Sequence, residues 1–173
     1  MKSPEQKSNL MESSLKRLMD VRLKLFRNIA KEVVGIDQNL YNKPISFALQ
    51  EYIEAWSFYK FISSGKLLSI DEITESLKFE ERVCDDETGN HFQLFIEVSS
   101  MDYLLGLSDI GGELMRFAIN QASAGEHNVA IDVQKFMCFL YGYFIFLGNA
   151  INNRDWQKKL EVFHQSLTKI NIL

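Results

Sequence analysis

The residues in this chain best suited to chemistry are two pairs of acids, each in a segment whose pattern predicts a helix. Asp109 and Glu113 are four residues apart, and Glu51 and Glu54 are three apart, so on a helix both members of a pair point the same way. Arg116 follows one turn after Glu113. Carboxylates suit a hard metal cation and arginine suits a phosphate, so this combination is typical of metal-assisted phosphate chemistry.

A purely structural explanation stays open for each pair. The Asp109 stripe also contains Asp102 and Asn120, and a mixed stripe of this kind is usually the solvated face of an amphipathic helix. The Glu51 pair belongs to a predicted helix that is apolar on nearly all sides, where a buried carboxylate is costly unless it is paired or bound to metal. A neighbouring lysine or arginine would satisfy it as well as a metal ion would.

Composition limits the classes of function. The chain has 173 residues, 46% of them hydrophobic and 24% charged, which suits one soluble domain with a sizeable core. The net charge of −4 means that any nucleic-acid binding must come from a local basic patch. Two cysteines without a pattern favour a reducing compartment, and three scattered histidines do not form zinc spacing. No secretory signal is evident, and the longest apolar run, at 136–148, is too short for a bilayer core of about 30 Å.

A basic stripe is predicted on the first long helix. Lys16, Arg17, Lys24, Arg27 and Lys31 share an arc of about 100° when the segment is read as a helix. Such a stripe can follow a phosphate backbone. The alternative is that these side chains only solvate a surface helix.

The pattern of the whole chain predicts an all-α bundle of about six helices. Residues 1–11 are expected to form a loose tail, and residues 12–173 a single helical domain. The helices are expected at 12–34, 44–64, 70–78, 102–125, 131–147 and 154–173, with Ser69–Glu72 and Ser99–Asp102 as N-terminal caps. Residues 79–90 are predicted to be an irregular acidic loop, and the alternation at 92–98 to be a brief extended segment without a partner strand.

The two acid-bearing helices are expected to bring their carboxylates together. If they pack antiparallel, Glu51, Glu54, Asp109 and Glu113 converge inside the bundle. Four oxygen donors without a histidine suit Mg²⁺, with Mn²⁺ as a substitute.

Three short runs carry a resemblance to a known family. They are QEYIEA at 50–55, DYLLG at 102–106 and DIGGELMR at 109–116. They resemble the translin superfamily, and most closely its catalytic branch, translin-associated factor X. The resemblance implies an all-α bundle that assembles with translin chains into a larger closed hetero-oligomer, found in the cytoplasm and also in the nucleus.

The resemblance also implies an activity. In that branch the complex is a Mg²⁺-dependent endoribonuclease on single-stranded RNA, active in passenger-strand removal during RNA silencing and in tRNA precursor processing; single-stranded DNA is a second expected ligand. The family's catalytic acids match Glu51, Glu54, Asp109 and Glu113, and its RNA-contacting arginine matches Arg116. We expect Glu54 and Glu113 to be the more direct metal ligands and Asp109 to orient water.

Two other functions remain as alternatives. The chain could bind nucleic acid through the basic stripe without cutting it. It could also be an assembly subunit whose acids only neutralise arginines. The resemblance also implies a leading helix with an RNA-binding lysine, for which we expect no counterpart before Glu12.

Overall fold

The computed structural model describes residues 4–84, 91–148 and 150–171. Its α-helical segments are α1 (Pro4–Val21), α2 (Arg27–Glu32), α3 (Asn42–Ser64), α4 (Ile70–Ser76), α5 (Ser100–Ser123), α6 (His127–Gly148) and α7 (Arg154–Ile170). A π-helical turn, Arg22–Phe26, joins α1 to α2, so the described segments form six helices. The all-α, translin-like fold class predicted from the sequence is confirmed.

The first helix begins earlier than the sequence predicted. It starts at Pro4, so residues 4–11 are helical and do not form the loose tail that was expected. Proline suits the first turn of a helix because the amide hydrogen that it lacks would have no partner there. Beyond α2 the chain turns at Gly35, whose φ of 70° is the left-handed conformation that glycine adopts without strain.

A β-hairpin corrects the prediction for residues 79–98. Strand β1 (Lys78–Cys84) pairs antiparallel with β2 (His91–Phe95), so the alternating segment has a partner and residues 79–84 of the predicted loop are strand. Residues 85–90 of that loop lie outside the described residues. Arg22 holds the start of the hairpin, because it donates hydrogen bonds to the carbonyls of Ser76 and Lys78 and its guanidinium lies 5.1 Å from the centre of the Phe79 ring. The hairpin is therefore fixed to the π-helical turn.

Contacts divide the chain into two compact units, Lys2–Tyr103 and Leu104–Leu173, with the boundary inside α5. The expectation of one helical domain over 12–173 stays a prediction. The first unit has a continuous apolar core built from the long helices, α4 and the hairpin. Its largest fully buried side chains are Phe26, Leu49, Ile53, Leu68, Ile73, Leu77, Leu94 and Ile96.

Helix ends in the first unit follow the sequence predictions closely. Ser69 and Glu72 form the predicted capping box, and Gly65 ends α3 in the left-handed conformation. At the start of α5 the hydroxyl of Ser99 accepts a hydrogen bond from the amide of Asp102 at 3.0 Å. The Asp102 carboxylate is buried, where it also accepts hydrogen bonds from Ser46 and Gln50 on α3. Asp102 is thus a structural residue and does not lie on a solvated stripe.

In the second unit, α6 and α7 pack through aromatic rings. Phe144 meets both Trp156 and Phe163 edge-on, with ring centres 5.3 Å apart in each case. Asn153 caps α7 by accepting hydrogen bonds from the amides of Asp155 and Trp156. This packing fixes the face that α7 presents within the unit.

Helix α6 keeps a large apolar face outside this packing. Phe139, Tyr143 and Phe146 are 63%, 55% and 75% exposed. With 22 residues, α6 is long and apolar enough to cross a membrane by length and composition, although the sequence analysis judged its apolar run too short. Helices of soluble proteins that are covered by other protein surface have the same properties, so this finding is weak evidence for a membrane span.

Candidate active site

Asp109 is held by a lysine from another helix of its unit. Its carboxylate lies on α5, and the ammonium of Lys159 on α7 approaches its Oδ2 atom to 2.5 Å. The same ammonium lies 3.4 Å from the carbonyl oxygen of Leu105, one turn earlier on α5. Less than a third of each side chain is exposed, at 31% for Asp109 and 24% for Lys159. The pair is therefore screened less by solvent than an ion pair on an open surface.

Glu113 and Arg116 form a second ion pair on α5. The Nη2 atom of Arg116 lies 2.8 Å from Oε1 of Glu113. The Arg116 side chain is 64% exposed, and its Nε–H also donates to the carbonyl of Gly112 at 3.3 Å. Helical spacing thus places Asp109, Glu113 and Arg116 along one side of α5, as the sequence predicted. An acidic site with an accessible arginine beside it can hold a cation and meet a phosphate.

The other acid pair lies on α3, in the first unit. Glu51 is exposed and Glu54 is half-buried, so the expectation that both carboxylates are buried is wrong for Glu51. Within the described part of the chain, no group of three or more His, Cys, Asp or Glu side chains is arranged to hold a metal ion. The convergence of Glu51 and Glu54 with Asp109 and Glu113 stays a prediction, since the two pairs belong to different units.

The available donors agree with the kind of metal that the sequence suggested. Asp109 and Glu113 offer carboxylate oxygens one turn apart, which suits a hard divalent cation such as Mg²⁺. Each of the two carboxylates already has a cationic partner from the chain itself, with Lys159 at Oδ2 of Asp109 and Arg116 at Oε1 of Glu113. A metal ion at these acids would therefore compete with an internal cation.

The predicted basic stripe is partly neutralised by acids of the same unit. Arg27 and Lys31 both approach Oε2 of Glu81 on β1, at 3.3 and 3.0 Å. Lys24 pairs with Asp20 at 3.2 Å, and Lys16 is exposed. The hydrogen bond from Lys31 lowers the pKa of Glu81 below its usual value. A phosphate that uses this stripe must compete with the hairpin carboxylate.

Two residues at these charged groups, Lys159 and Glu81, are not among the site residues predicted from the sequence. Lys159 carried a usable signal, because it lies one turn after Trp156 and one turn before Phe163, both buried. A lysine on the apolar stripe of a helix indicates a partner for its charge. Glu81 carried no comparable signal, since its position depends on a hairpin that was read as an irregular loop.

The family model and similar curated proteins all indicate the same family. The sequence pattern of the translin family matches residues 2–172. The chain is 36% identical to translin-associated protein X from Pongo abelii and 34% identical to that from Rattus norvegicus, over 97% of this chain in both cases. The Schizosaccharomyces pombe homolog is 25% identical over 85% of the chain. The chain spans about three fifths of the length of the mammalian relatives that it matches, since it covers 60% of each.

Solved structures show the same fold. Apo-NeC3PO superposes with a TM-score of 0.58 at 16% identity, covering 99% of this chain and 96% of its own. The AfC3PO chain from a complex with duplex RNA superposes with a TM-score of 0.56 at 17% identity, covering 97% and 91%. At this level of identity the likeness establishes the fold alone.

Proposed function

The chain belongs to the translin family, and we propose that it is the catalytic subunit of a translin-type complex, a Mg²⁺-dependent endoribonuclease that cleaves single-stranded RNA. The observation that carries the proposal is the Asp109–Glu113 pair, half-buried on α5 with Arg116 beside it. The similarity to translin-associated protein X extends over 97% of the chain, so it includes this helix. Passenger-strand removal and tRNA precursor processing, in the cytoplasm and nucleus, are the roles that the family resemblance suggests.

The residues have separable roles in this proposal. Asp109 and Glu113, joined by Glu51 and Glu54, hold Mg²⁺ or Mn²⁺; Glu54 and Glu113 are the more direct ligands, and Asp109 orients water. When bound, the cation supplies Lewis-acid chemistry that activates water and stabilises negative charge on the phosphate. Arg116 gives a phosphate oxygen a charged hydrogen-bond donor, which its exposed side chain can reach.

RNA binding away from the acids is proposed for the basic stripe. Lys16, Lys24, Arg27 and Lys31 lie on α1, the π-helical turn and α2, within 16 positions of one another. The AfC3PO relative has been solved with duplex RNA, which supports a nucleic-acid ligand for this fold. Single-stranded RNA, with single-stranded DNA as a second ligand, would replace Glu81 as the partner of Arg27 and Lys31.

Assembly with translin chains is part of the same proposal. The aromatic face of α6 has three large rings that are more than half exposed, Phe139, Tyr143 and Phe146, and a contiguous apolar surface of this kind is typical of a protein–protein contact. A translin-family chain packed on this face would remove it from solvent. Two solved structures with this fold are C3PO chains, one of them in a complex with duplex RNA.

The alternative function is that of a non-catalytic nucleic-acid-binding or assembly subunit. The Asp109–Lys159 ion pair favours it, because an acid that only neutralises a half-buried lysine would make the same contact. In that case loss of the carboxylate strands a cation and destabilises the fold. In a metal site, loss of one charge removes catalysis and relieves repulsion among the acids.

Two substitutions separate these functions. Asp109→Asn and Glu54→Gln keep the shape of each side chain and remove its charge. In the complex purified with translin, we expect each to lower Mg²⁺-dependent cleavage of a single-stranded RNA by about 100-fold or more, with RNA affinity nearly unchanged. Asp132→Asn is the matched control, since Asp132 is 77% exposed on α6 and loosely paired with Lys135.

Several outcomes would contradict the proposal. Full cleavage by either variant would remove its acid from the site. A lower melting temperature in Asp109→Asn, with no metal-dependent activity in the parent complex, would favour the assembly subunit. A chain that stays monomeric in light scattering when mixed with translin would contradict the proposed partner.

A further inference from the structure

The contact between Lys159 on α7 and Asp109 on α5 affects how a metal ion can bind at the proposed site. The ammonium of Lys159 lies 2.5 Å from the carboxylate oxygen of Asp109, so it occupies an oxygen that a divalent cation would use. Like charges disfavour one another at such distances, so the ammonium and a metal ion cannot share that oxygen without cost. A metal ion that binds Asp109 through Oδ2 therefore moves Lys159 or weakens its hydrogen bond.

Lysine is suited to this kind of movement. Its ammonium is a compact charge on a flexible stem of four carbons, and it holds no fixed planar geometry toward its partner. Lys159 has a second, longer contact with the carbonyl of Leu105 at 3.4 Å, so its charge stays near α5 when Asp109 is engaged elsewhere. The Lys159 side chain is 24% exposed, which gives the ammonium a route to a ligand at the surface.

We propose that Lys159 is a further positioning residue of the site, and this proposal rests on the proposed function. Lys159 is the counter-ion of Asp109 when no ligand is bound. Its transfer to a phosphate oxygen of the RNA couples metal binding to RNA binding. Without RNA, Lys159 competes with the metal for Asp109. With RNA present, the released ammonium gains a phosphate partner. The two ligands therefore bind with positive cooperativity, and each raises the affinity of the site for the other by the same factor.

The test measures binding, not cleavage. Lys159→Met keeps much of the side-chain length and removes the charge. Lys158→Met is the matched control, because the neighbouring Lys158 is 63% exposed and lies 4.0 Å from Asp155 on its own helix. The titrations use Mn²⁺, followed by calorimetry and electron paramagnetic resonance, and a 2′-O-methyl phosphorothioate single strand that resists cleavage, on the full chain purified with translin.

The expected result has two parts. Lys159→Met should bind Mn²⁺ without RNA more tightly, by roughly five-fold or more, the lower end of ordinary coupling between sites. Its affinity for the single strand should rise less when Mn²⁺ is added than the affinity of the parent and of Lys158→Met, because only the coupling that passes through Lys159 is removed. Arginine binds carboxylates through two parallel hydrogen bonds, so Lys159→Arg should weaken Mn²⁺ binding. This variant decides the question if Lys159→Met does not assemble.

Different failures can be told apart. Lys159→Met and Lys159→Arg could both leave the Mn²⁺ affinity unchanged and lower the melting temperature. This result would show that Lys159 only stabilises the packing of α7 against α5, and it would overturn the proposed role. If the parent complex shows no Mn²⁺ binding that Asp109→Asn removes, both the role of Lys159 and the proposed metal site are overturned. Intact metal binding and coupling in a complex that never cleaves RNA would overturn the nuclease activity while supporting the role of Lys159.

Discussion

Two adjacent glycines of α5 offer a direct test of how closely α7 packs against it. A Cβ atom added at Gly111 would lie 2.5 Å from Cδ2 and 2.9 Å from Cε2 of the Phe163 ring. A Cβ atom added at Gly112 would meet only the end of the Arg116 side chain, at 3.5 Å. The perturbation is therefore Gly111→Ala, with Gly112→Ala as a control in the same turn of the same helix.

The Phe163 ring has little freedom to withdraw from such a clash. It is 1% exposed, meets Phe144 edge-on at 5.3 Å, and lies parallel to the Tyr141 ring at 6.1 Å. Overpacking of this kind costs about 1–3 kcal/mol, because side chains or backbone must shift. Alanine also gains about 0.5–1 kcal/mol over glycine in a helix interior, and this gain is the same at both positions.

The comparison of the two variants isolates the packing cost. Gly112→Ala should be more stable than the parent by up to about 1 kcal/mol. Gly111→Ala should be less stable than Gly112→Ala by the full overpacking cost, about 1–3 kcal/mol, which is about 2–12 °C in melting temperature for a chain of this size. Urea and thermal denaturation of both variants in the same assembly measure the difference. Equal stability of the two variants would show that Phe163 does not pack against α5 at Gly111.

Two further predictions concern the first unit. Asp102→Ala should lower the free energy of unfolding by about 1–3 kcal/mol, because Ser46 and Gln50 lose an acceptor in a buried position; an unchanged urea midpoint would contradict this role. The hydrogen bond from Lys60 lowers the pKa of Glu72 from 4.5 to about 2, so its contribution to stability is present above pH 4.5 and is lost as the pH falls toward 2. Glu72→Gln should remove that part of the acid dependence, and parallel stability curves for variant and parent would refute the assignment.

The sequence predicted best those features that depend on neighbouring residues. The Ser69–Glu72 capping box and the left-handed Gly65 were both found where the pattern placed them. A capping box needs only a hydroxyl and an acid three residues apart, so it can be predicted from a short stretch of sequence. The same holds for the acids of α5, whose shared side follows from the helical repeat.

Features that depend on distant residues were missed. The hairpin needs two strands in register, and its β1 strand has an irregularity in that register between Lys78 and Arg82, which obscures the alternation of a regular strand. The approach of Lys159 to Asp109 joins residues 50 positions apart, and only the packing of α7 decides which side chain lies opposite the acid. A helical repeat predicts the face of the helix on which a carboxylate lies, but it does not predict which residue of another helix contacts it.

Most of the charges proposed to bind ligands are already held by partners within the chain. The pairs are Asp109 with Lys159, Glu113 with Arg116, Lys24 with Asp20, and Arg27 and Lys31 with Glu81. Binding of a metal ion or an RNA phosphate is then an exchange of partners, and its free energy is the difference between two ion pairs. When a lysine leaves an internal carboxylate for a phosphate, the RNA releases a condensed cation but the freed carboxylate attracts cations again. Affinity therefore depends less on salt concentration than the number of phosphate contacts implies. Specificity follows from the same exchange, because a ligand must offer its charges in the geometry that replaces the internal ones.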